Sequence, residues 1–91
     1  MAFTFPHWIK RIRDPQAQSS ARLRYMLVHA LLEHNGDTRL SYLARDVGFD
    51  HSTLSCALQR GRMSYEMAHK IETKLGRQLV NHEHLMDPLS A

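Results

Sequence analysis

The segment LSYLARDVGFDHSTLSCALQR, residues 40–60, decides the fold of this 91-residue chain. Its apolar side chains recur at helical spacing on either side of Gly48, so the segment predicts two short helices near 39–47 and 51–60. Gly48 can take the positive φ that so tight a reversal needs. The side chains expected to close the interior of this unit are Leu43, Ala44, Val47, Phe49, Leu54 and Leu58.

The outward side chains of the second helix are short and polar, with no run of like charge. A solvated face usually carries more lysine and glutamate, whereas short hydrogen-bonding groups near a helix start can approach base edges in the major groove of DNA. Two helices joined by a tight glycine turn are the unit that places a helix there. The other interpretation is a helical hairpin inside an unrelated bundle. We expect base contacts from His51, Ser52, Thr53, Ser55, Cys56 and Gln59.

The charge distribution favours a polyanionic partner. The net charge is +3, with an isoelectric point of about 9.4. Two basic blocks, residues 1–24 at +4 and residues 60–77 at +3, lie on either side of a segment at 25–59 with a charge of −2. Bases that flank an uncharged reading helix can neutralise the neighbouring phosphates. We expect phosphate contacts from Arg39, Arg45, Arg60 and Arg62.

The remaining sequence is also helical in pattern, and no period-two run typical of a strand occurs. The polar stretch 16–20 is interpreted as a linker that ends in an N-cap at Ser19 or Ser20. We therefore expect an all-α fold of about five short helices, a helix-turn-helix domain with an N-terminal helical extension. The further helices are predicted near residues 6–13, 20–34 and 64–75. The predicted division is an extension at 1–18, a DNA-binding domain at 19–87 and a tail at 88–91.

Three stretches resemble the Cro and lambda-repressor type of helix-turn-helix domain, and most of all its small YdaS-type phage and prophage regulators. They are LSYLARDVGF at 40–49, STLS at 52–55 and GRMSYEMAHKIETKLG at 61–76, and the resemblance spans residues from about 21 to 87. It implies a lambda-repressor-like fold in which the helix at 51–60 is the recognition helix. By position in the motif, the resemblance implies that His51, Ser52 and Cys56 face bases and that Thr53, Ser55 and Gln59 lie near bases or backbone.

The resemblance also implies homodimers that bind short palindromic operators and act as repressors or dual regulators of neighbouring genes. One departure from the family pattern concerns Gly61, which comes about one residue later than the commonest spacing. The late glycine either lengthens the recognition helix or loosens its end.

The first eighteen residues have no counterpart in that family and combine aromatic with basic side chains. Three roles are open to them: a basic arm that tracks DNA phosphates, docking on the chain's own domain, or contact between the two copies of a dimer. Their apolar area exceeds what a monomer usually exposes, which favours docking or a dimer contact. The residues concerned are Phe3, Phe5, Trp8, Ile9, Lys10, Arg11 and Arg13.

Metal binding and catalysis find little support in the sequence. Zinc sites usually need three or four ligands at paired spacings, and the helical triplet His82-Glu83-His84 directs its two imidazoles to different sides. Cys56, the only cysteine, cannot form an intrachain disulfide and lies on a short helix with no oriented base or cleft. We expect no bound metal, no cofactor and no enzymatic activity.

No apolar run approaches the roughly 18 residues that span a bilayer, and the N-terminus does not have the pattern of a secretion signal. We therefore predict a cytoplasmic, nucleoid-associated, homodimeric transcriptional regulator that binds double-stranded DNA at a palindromic operator. The family resemblance implies a repressor of phage, prophage or mobile-element origin. The alternative is an antitoxin or accessory protein-interaction module that keeps a helix-turn-helix and mainly holds another protein, and the apolar N-terminus motivates it.

Overall fold

The computed structural model describes residues 4–91, and every regular element within that range is helical. The predicted all-α class is therefore confirmed, with one further short helix and a 3-10 helix after the last predicted one. Phe3 lies outside the described residues. The helices are α1 (His7–Lys10), α2 (Pro15–Asn35), α3 (Leu40–Asp46), α4 (His51–Arg60), α5 (Tyr65–Leu75) and α6 (His82–Met86), followed by the 3-10 helix Pro88–Ser90.

The start of α2 differs from the sequence expectation. The predicted linker at 16–20 is wrong, because α2 already begins at Pro15. Asp14 caps the helix, and its Oδ2 accepts a hydrogen bond from the Ala17 N–H at 2.8 Å. Proline suits the first helical position, where the missing N–H is not needed. Polarity alone thus failed to distinguish a linker from the first turns of a capped helix.

Polar residues in these first turns attach α2 to the end of α4. The Ser19 hydroxyl donates a hydrogen bond to the carbonyl oxygen of Gly61, and the Ser20 hydroxyl donates to that of Leu58 at 2.5 Å. Neither serine is an N-cap. Gly61 ends α4 with a φ of 83°, and a Cβ added there would lie 2.9 Å from both the Ser19 Cβ and the Ser20 backbone nitrogen. Only glycine can adopt this backbone conformation and fit in the space beside the two serines. We call the four residues Ser19, Ser20, Leu58 and Gly61 the α2–α4 seam.

The N-terminal segment docks on the chain's own domain. Phe5 and Ile9 are 4% and 0% exposed and belong to the same core as α2. The Phe5 ring packs against Tyr25, and the Arg22 guanidinium lies 4.7 Å from its centre. Burial therefore excludes Phe5 and Ile9 as contacts between two copies, whereas Trp8 is 63% exposed. The basic residues Lys10, Arg11 and Arg13 are exposed as well.

The predicted tail at 88–91 also packs on the domain. Pro88 is buried, and the Arg22 Nη1 donates to the carbonyl oxygens of Pro88 and Leu89, each at 3.4 Å. As a result, α2 contacts the 3-10 helix as well as the N-terminal segment.

A shared apolar core fixes α4 on its neighbours. Leu23 of α2, Leu54 of α4, Ile71 of α5 and Leu85 of α6 are each at most 1% exposed. Full burial of one such side chain stabilises the fold by about 1.5–3 kcal/mol. The inner face of α4 is thereby held in one orientation, which fixes the direction of its outer face.

Candidate nucleic-acid interface

The turn between α3 and α4 is built by backbone hydrogen bonds around one glycine. Gly48 has a φ of 84°, as the reversal requires. The Phe49 N–H donates to the carbonyl oxygen of Ala44 at 2.9 Å, and the Gly48 N–H donates to that of Arg45 at 3.1 Å. Phe49 is half-buried against the core, and the Lys70 ammonium lies 5.0 Å from its ring centre. The sequence prediction of two short helices joined at Gly48 is confirmed.

One face of α4 is buried and the other is open to solvent. Leu54, Ala57 and Leu58 are at most 2% exposed, so they form the inner face. At about 100° per residue, Ser52 and Cys56 lie on the side opposite to them. The six predicted base-contact residues are placed as follows: His51, Ser52, Thr53, Cys56 and Gln59 are exposed, and Ser55 is half-buried.

Gly61, which comes about one residue later than the commonest spacing in the resembled family, follows a longer α4 and does not loosen its end. Residues His51–Arg60 are helical, and Gly61 follows directly in the left-handed conformation. The Gly61 N–H donates to the carbonyl oxygen of Ala57 at 3.0 Å, which closes the last turn. Gln59 therefore keeps a regular helical position at the far end of the outward face.

Arg45 lies beside the start of α4. A shallow depression of about 580 Å³ brings it together with side chains from both helices and the turn. At such a place a guanidinium can bind a phosphate while the neighbouring helix start contacts base edges. The residues that line the depression are Ser41, Arg45, Gly48, Phe49, Asp50, His51 and Thr53.

Arg39 is held by an acidic neighbour. Its Nη2 lies 2.8 Å from the Asp37 Oδ2, and its Nε lies 3.1 Å from both carboxylate oxygens of Asp37. The bond from the Arg39 side chain is the main reason why the pKa of Asp37 lies below its ordinary value. The guanidinium also lies 4.2 Å from the ring centre of Tyr42. The Asp37 carboxylate therefore competes with a phosphate for the Arg39 guanidinium, whose side chain is 63% exposed.

Arg60 and Arg62 lie at the opposite end of α4. They line a depression of about 680 Å³ together with the start of α2 and the 3-10 helix. Arg60 is about 13 Å along the helix axis from His51, at 1.5 Å per residue. The four predicted phosphate contacts therefore occupy two separate places, Arg39 and Arg45 on α3 and Arg60 and Arg62 at the end of α4, and of the four only Arg45 lines the depression at the start of α4.

Tyr42 is a residue of this surface that sequence reasoning missed. It is 41% exposed, and the guanidinium carbons of Arg39 and Arg45 lie 4.2 and 4.9 Å from its ring centre. The spacing of residues 39, 42 and 45 was the available indication, because positions three apart are neighbours on a helix surface. Tyr42 restricts both arginines through cation–π contacts.

His82, the first member of the triplet His82-Glu83-His84, has a structural role in the C-terminal part of the fold. The Glu72 Oε2 accepts hydrogen bonds from the His82 backbone N–H at 2.8 Å and pairs with the His82 Nδ1 at 2.9 Å. The backbone bond is the main reason why the pKa of Glu72 lies below its ordinary value. These contacts join α5 to α6. Within residues 4–91, no group of three or more His, Cys, Asp or Glu side chains could hold a metal ion.

Comparisons of the chain with protein-family models, with curated proteins and with solved structures give no match. The resemblance to Cro-type and YdaS-type regulators therefore stays a prediction. Across residues 4–91 no helix combines the length and the apolar character needed to cross a membrane. The functional argument depends on the residues and the geometry described above.

Proposed function

We propose that this chain is a sequence-specific DNA-binding regulator of transcription that reads the major groove with α4. The observation that carries the proposal is the pairing of a short polar outward face on α4 with Arg45 in one depression at its start. Short hydroxyl and imidazole groups can approach base edges, and a nearby guanidinium can bind the adjoining phosphate. The net charge of +3 adds a favourable electrostatic term.

In this proposal His51 and Ser52 read bases at the start of α4, and Cys56 and Gln59 follow on successive turns. Thr53 and Ser55 lie on the two flanks of that face. Arg45 binds the phosphate beside the start of the helix. Arg60 and Arg62 contact backbone near its far end, and Lys10, Arg11 and Arg13 remain available as a basic arm because they are exposed. The family resemblance supports a repressor from a phage, prophage or mobile element that acts at the nucleoid in the cytoplasm.

The experiment is a titration of fluorescent duplex DNA from the chain's own promoter region, followed by anisotropy at several salt concentrations. Binding should weaken steeply with salt, since phosphate contacts release counterions. His51→Ala and Ser52→Ala should each cost about 1–3 kcal/mol on the preferred site and much less on unrelated DNA. Ser90→Ala, at an exposed serine in the 3-10 helix, is the matched control and should leave binding unchanged. Equal affinity of the wild type and both α4 variants on the preferred site would show that α4 is not the reading helix.

A second candidate function is a protein-interaction module of the antitoxin or accessory type. The exposure of Trp8, at 63%, is the observation that favours it. Such a protein would show no sequence-specific DNA binding at any salt concentration. The titration above therefore separates the two functions.

A further inference from the structure

A shallow groove lies between α1, the first two thirds of α2 and the end of α4. Its volume is about 860 Å³, which is within the range of small-molecule sites. Ala17, Ala21 and Val28 form an apolar floor, because their positions share one side of α2. Two of these three are alanine, whose short side chains leave the space above the helix open. We call this space the α2 groove.

Trp8 forms the α1 wall of the α2 groove and is 63% exposed. Within residues 4–91 its indole makes no ring contact with another side chain. The half-buried Tyr25 also lines the groove. Small-molecule sites are lined mainly by apolar and aromatic side chains, with a few polar groups that orient the ligand. The open indole face therefore suits a planar apolar group.

Arg24 supplies the positive charge of the α2 groove. It lies on the same side of α2 as Ala21 and Val28, and it is exposed. In the described part of the chain its guanidinium has no ion pair, hydrogen bond or cation–π contact. A guanidinium without a partner can bind a carboxylate through two parallel hydrogen bonds. The groove thus combines an apolar floor with one available cation.

Asp14 is the acidic residue that lines the α2 groove, and it lies at the end away from Arg24. The two residues are ten positions apart, which is about 15 Å along the helix axis. The Asp14 Oδ2 accepts a hydrogen bond from the Ala17 N–H, and the positive end of the α2 dipole offsets its charge. Asp14 therefore leaves Arg24 free to select an anionic group at its own end of the groove.

We propose that the α2 groove binds a small molecule with a planar apolar body and one carboxylate. The ring lies over Ala17 and Ala21 against Trp8, and the carboxylate pairs with Arg24. Burial of the ring supplies most of the binding energy, and the ion pair, at an exposed position, adds a preference for the anion. A DNA phosphate can pair with Arg24 as well, but it would leave the apolar floor and Trp8 in water.

This inference goes beyond DNA reading, and it also has a consequence for the proposed function. Gln59 lines the α2 groove and lies at the far end of the outward face of α4. Gln16, at the edge of the groove, holds this end of α4, because its Nε2 donates to the Gln59 carbonyl oxygen at 3.3 Å. A bound carboxylate neutralises Arg24, and its ring fills the space beside Gln59, so the DNA backbone is attracted less at that end. Occupancy therefore lowers DNA affinity; this consequence rests on the proposed function, whereas binding in the groove does not.

The first test is a titration of the isotope-labelled chain with 2-naphthoate and with 2-naphthamide, the neutral molecule of the same ring, followed by nitrogen–proton correlation NMR. Trp8 is the only tryptophan, so its indole N–H gives a single resonance. 2-Naphthoate should shift this resonance and the backbone amides of Ala17 and Ala21. It should bind about three- to fivefold more tightly than 2-naphthamide, as a charged pair at an exposed site allows. No shift of the Trp8 resonance, or equal affinities for the two probes, would overturn the proposal.

Three variants separate the charge from the apolar surface. Arg24→Gln should lower the affinity for 2-naphthoate to that for 2-naphthamide, and Arg77→Gln, at an exposed arginine after α5, is the matched control that should keep the preference. Trp8→Ala should weaken both probes alike, as measured on the Ala17 and Ala21 amides. All three positions are exposed, and the same spectra report that each variant is folded. An undiminished preference in Arg24→Gln would overturn the assignment of the carboxylate to this arginine.

The second test measures the anisotropy of the preferred DNA duplex at saturating 2-naphthoate. The DNA affinity of the wild type should fall about three- to fivefold, and DNA should weaken the binding of 2-naphthoate by the same factor. An unchanged DNA affinity would overturn the regulatory part of the proposal. A chain that binds the probe and no DNA would contradict the proposed function and support the groove. An Arg24→Gln variant that loses DNA affinity without the probe, in a chain that does not respond to the probe, would make Arg24 a DNA contact and overturn the proposal.

Discussion

The outward face of α4 and the outer side of α2, where Ala17, Ala21, Val28 and Leu32 lie, are both at least partly open to solvent, but they differ in chemistry. The α4 face carries hydroxyl, imidazole, thiol and amide groups, whereas the outer side of α2 carries alanine, valine and leucine around one exposed arginine, Arg24. Hydrogen-bonding groups on a helix can match base edges, and apolar groups cannot. The difference makes α4, and not the outer side of α2, the candidate for contact with base edges.

The two faces are coupled through the α2–α4 seam. Ser19 and Ser20 of α2 donate their hydroxyls to the end of α4, and Gly61 lies against them without a side chain. Because these hydrogen bonds join α2 directly to the end of α4, the direction of the outward α4 face should depend on the position of α2. The following predictions are arranged from the largest expected effect to the smallest.

Gly61→Ala should be the most damaging change. Alanine at a φ of 83° is strained, and its Cβ would lie 2.9 Å from the Ser20 backbone nitrogen. We expect a loss of about 3 kcal/mol or more in the free energy of unfolding, measured by urea denaturation. Gly36→Ala is the matched control, because Gly36 has a φ of 76° but nothing within 4 Å of the added Cβ. It should cost only about 1 kcal/mol, and equal losses would mean that the seam is not tightly packed.

Glu72→Gln should lower stability while leaving both faces intact. The Glu72 side chain is 11% exposed and pairs with His82 across the α5–α6 junction. Its replacement should cost about 1 kcal/mol near neutral pH. Half-site DNA binding should be unchanged in the folded variant, because the outward face of α4 does not include this pair. A loss of DNA binding would mean that this face depends on the C-terminal part of the fold.

The same variant has a predicted pH dependence. The folded pKa of Glu72 is lowered from its ordinary value of 4.5. The unfolded chain therefore binds the proton more readily, and the stabilisation is present above the ordinary pKa and lost as the pH falls through the folded pKa. The difference in unfolding free energy between wild type and Glu72→Gln should shrink as the pH is lowered below about 4. A difference that does not change with pH would contradict the role of the Glu72 carboxylate.

The two-helix unit at 40–60 was predicted from the sequence more accurately than the segments around it. The helix at 51–60 and the turn at Gly48 follow from apolar spacing and one glycine, both of which are local properties. The start of α2 could not be found this way, because the bonds of Ser19 and Ser20 run to residues far along the chain. Burial of Phe5 likewise depends on contacts with α2 that no local pattern reports.

In the candidate site, too, local properties could be predicted from the sequence and contacts between side chains could not. Exposure of Ser52, Cys56 and Gln59 could be predicted from the helical period, but the separation of the four arginines could not. Asp37 lies only two residues before Arg39, and sequence reasoning had not considered it as a partner of that guanidinium.

Arg45→Ala tests whether DNA phosphates bind beside the start of α4. Arg45 lines the same depression as His51 and Thr53, so its removal should weaken DNA binding on all sequences and reduce the slope of log affinity against log salt by about one. Arg77→Ala, at an exposed arginine after α5, is the matched control and should leave that slope unchanged. An unchanged slope for Arg45→Ala would remove this residue from the interface.

Asp37→Asn should have the smallest effect of these changes, and it should raise DNA affinity, whereas Arg45→Ala should lower it. The change removes the carboxylate that holds Arg39, and leaves its guanidinium available for a phosphate. We expect DNA affinity to rise a few-fold at low salt, measured by anisotropy, and the gain to disappear in the double variant with Arg39→Ala. A decrease in affinity would mean that the Asp37–Arg39 pair orients the arginine for DNA and does not compete with it.

The central claim is that α4 reads DNA sequence. Its most direct test is selection of bound sites from random duplex DNA by the wild type and by His51→Ala in parallel. The wild type should enrich a palindromic motif with two half-sites, and His51→Ala should enrich the same motif with one base position in each half-site relaxed. No enriched motif for the wild type, or identical motifs for the two proteins, would contradict the claim.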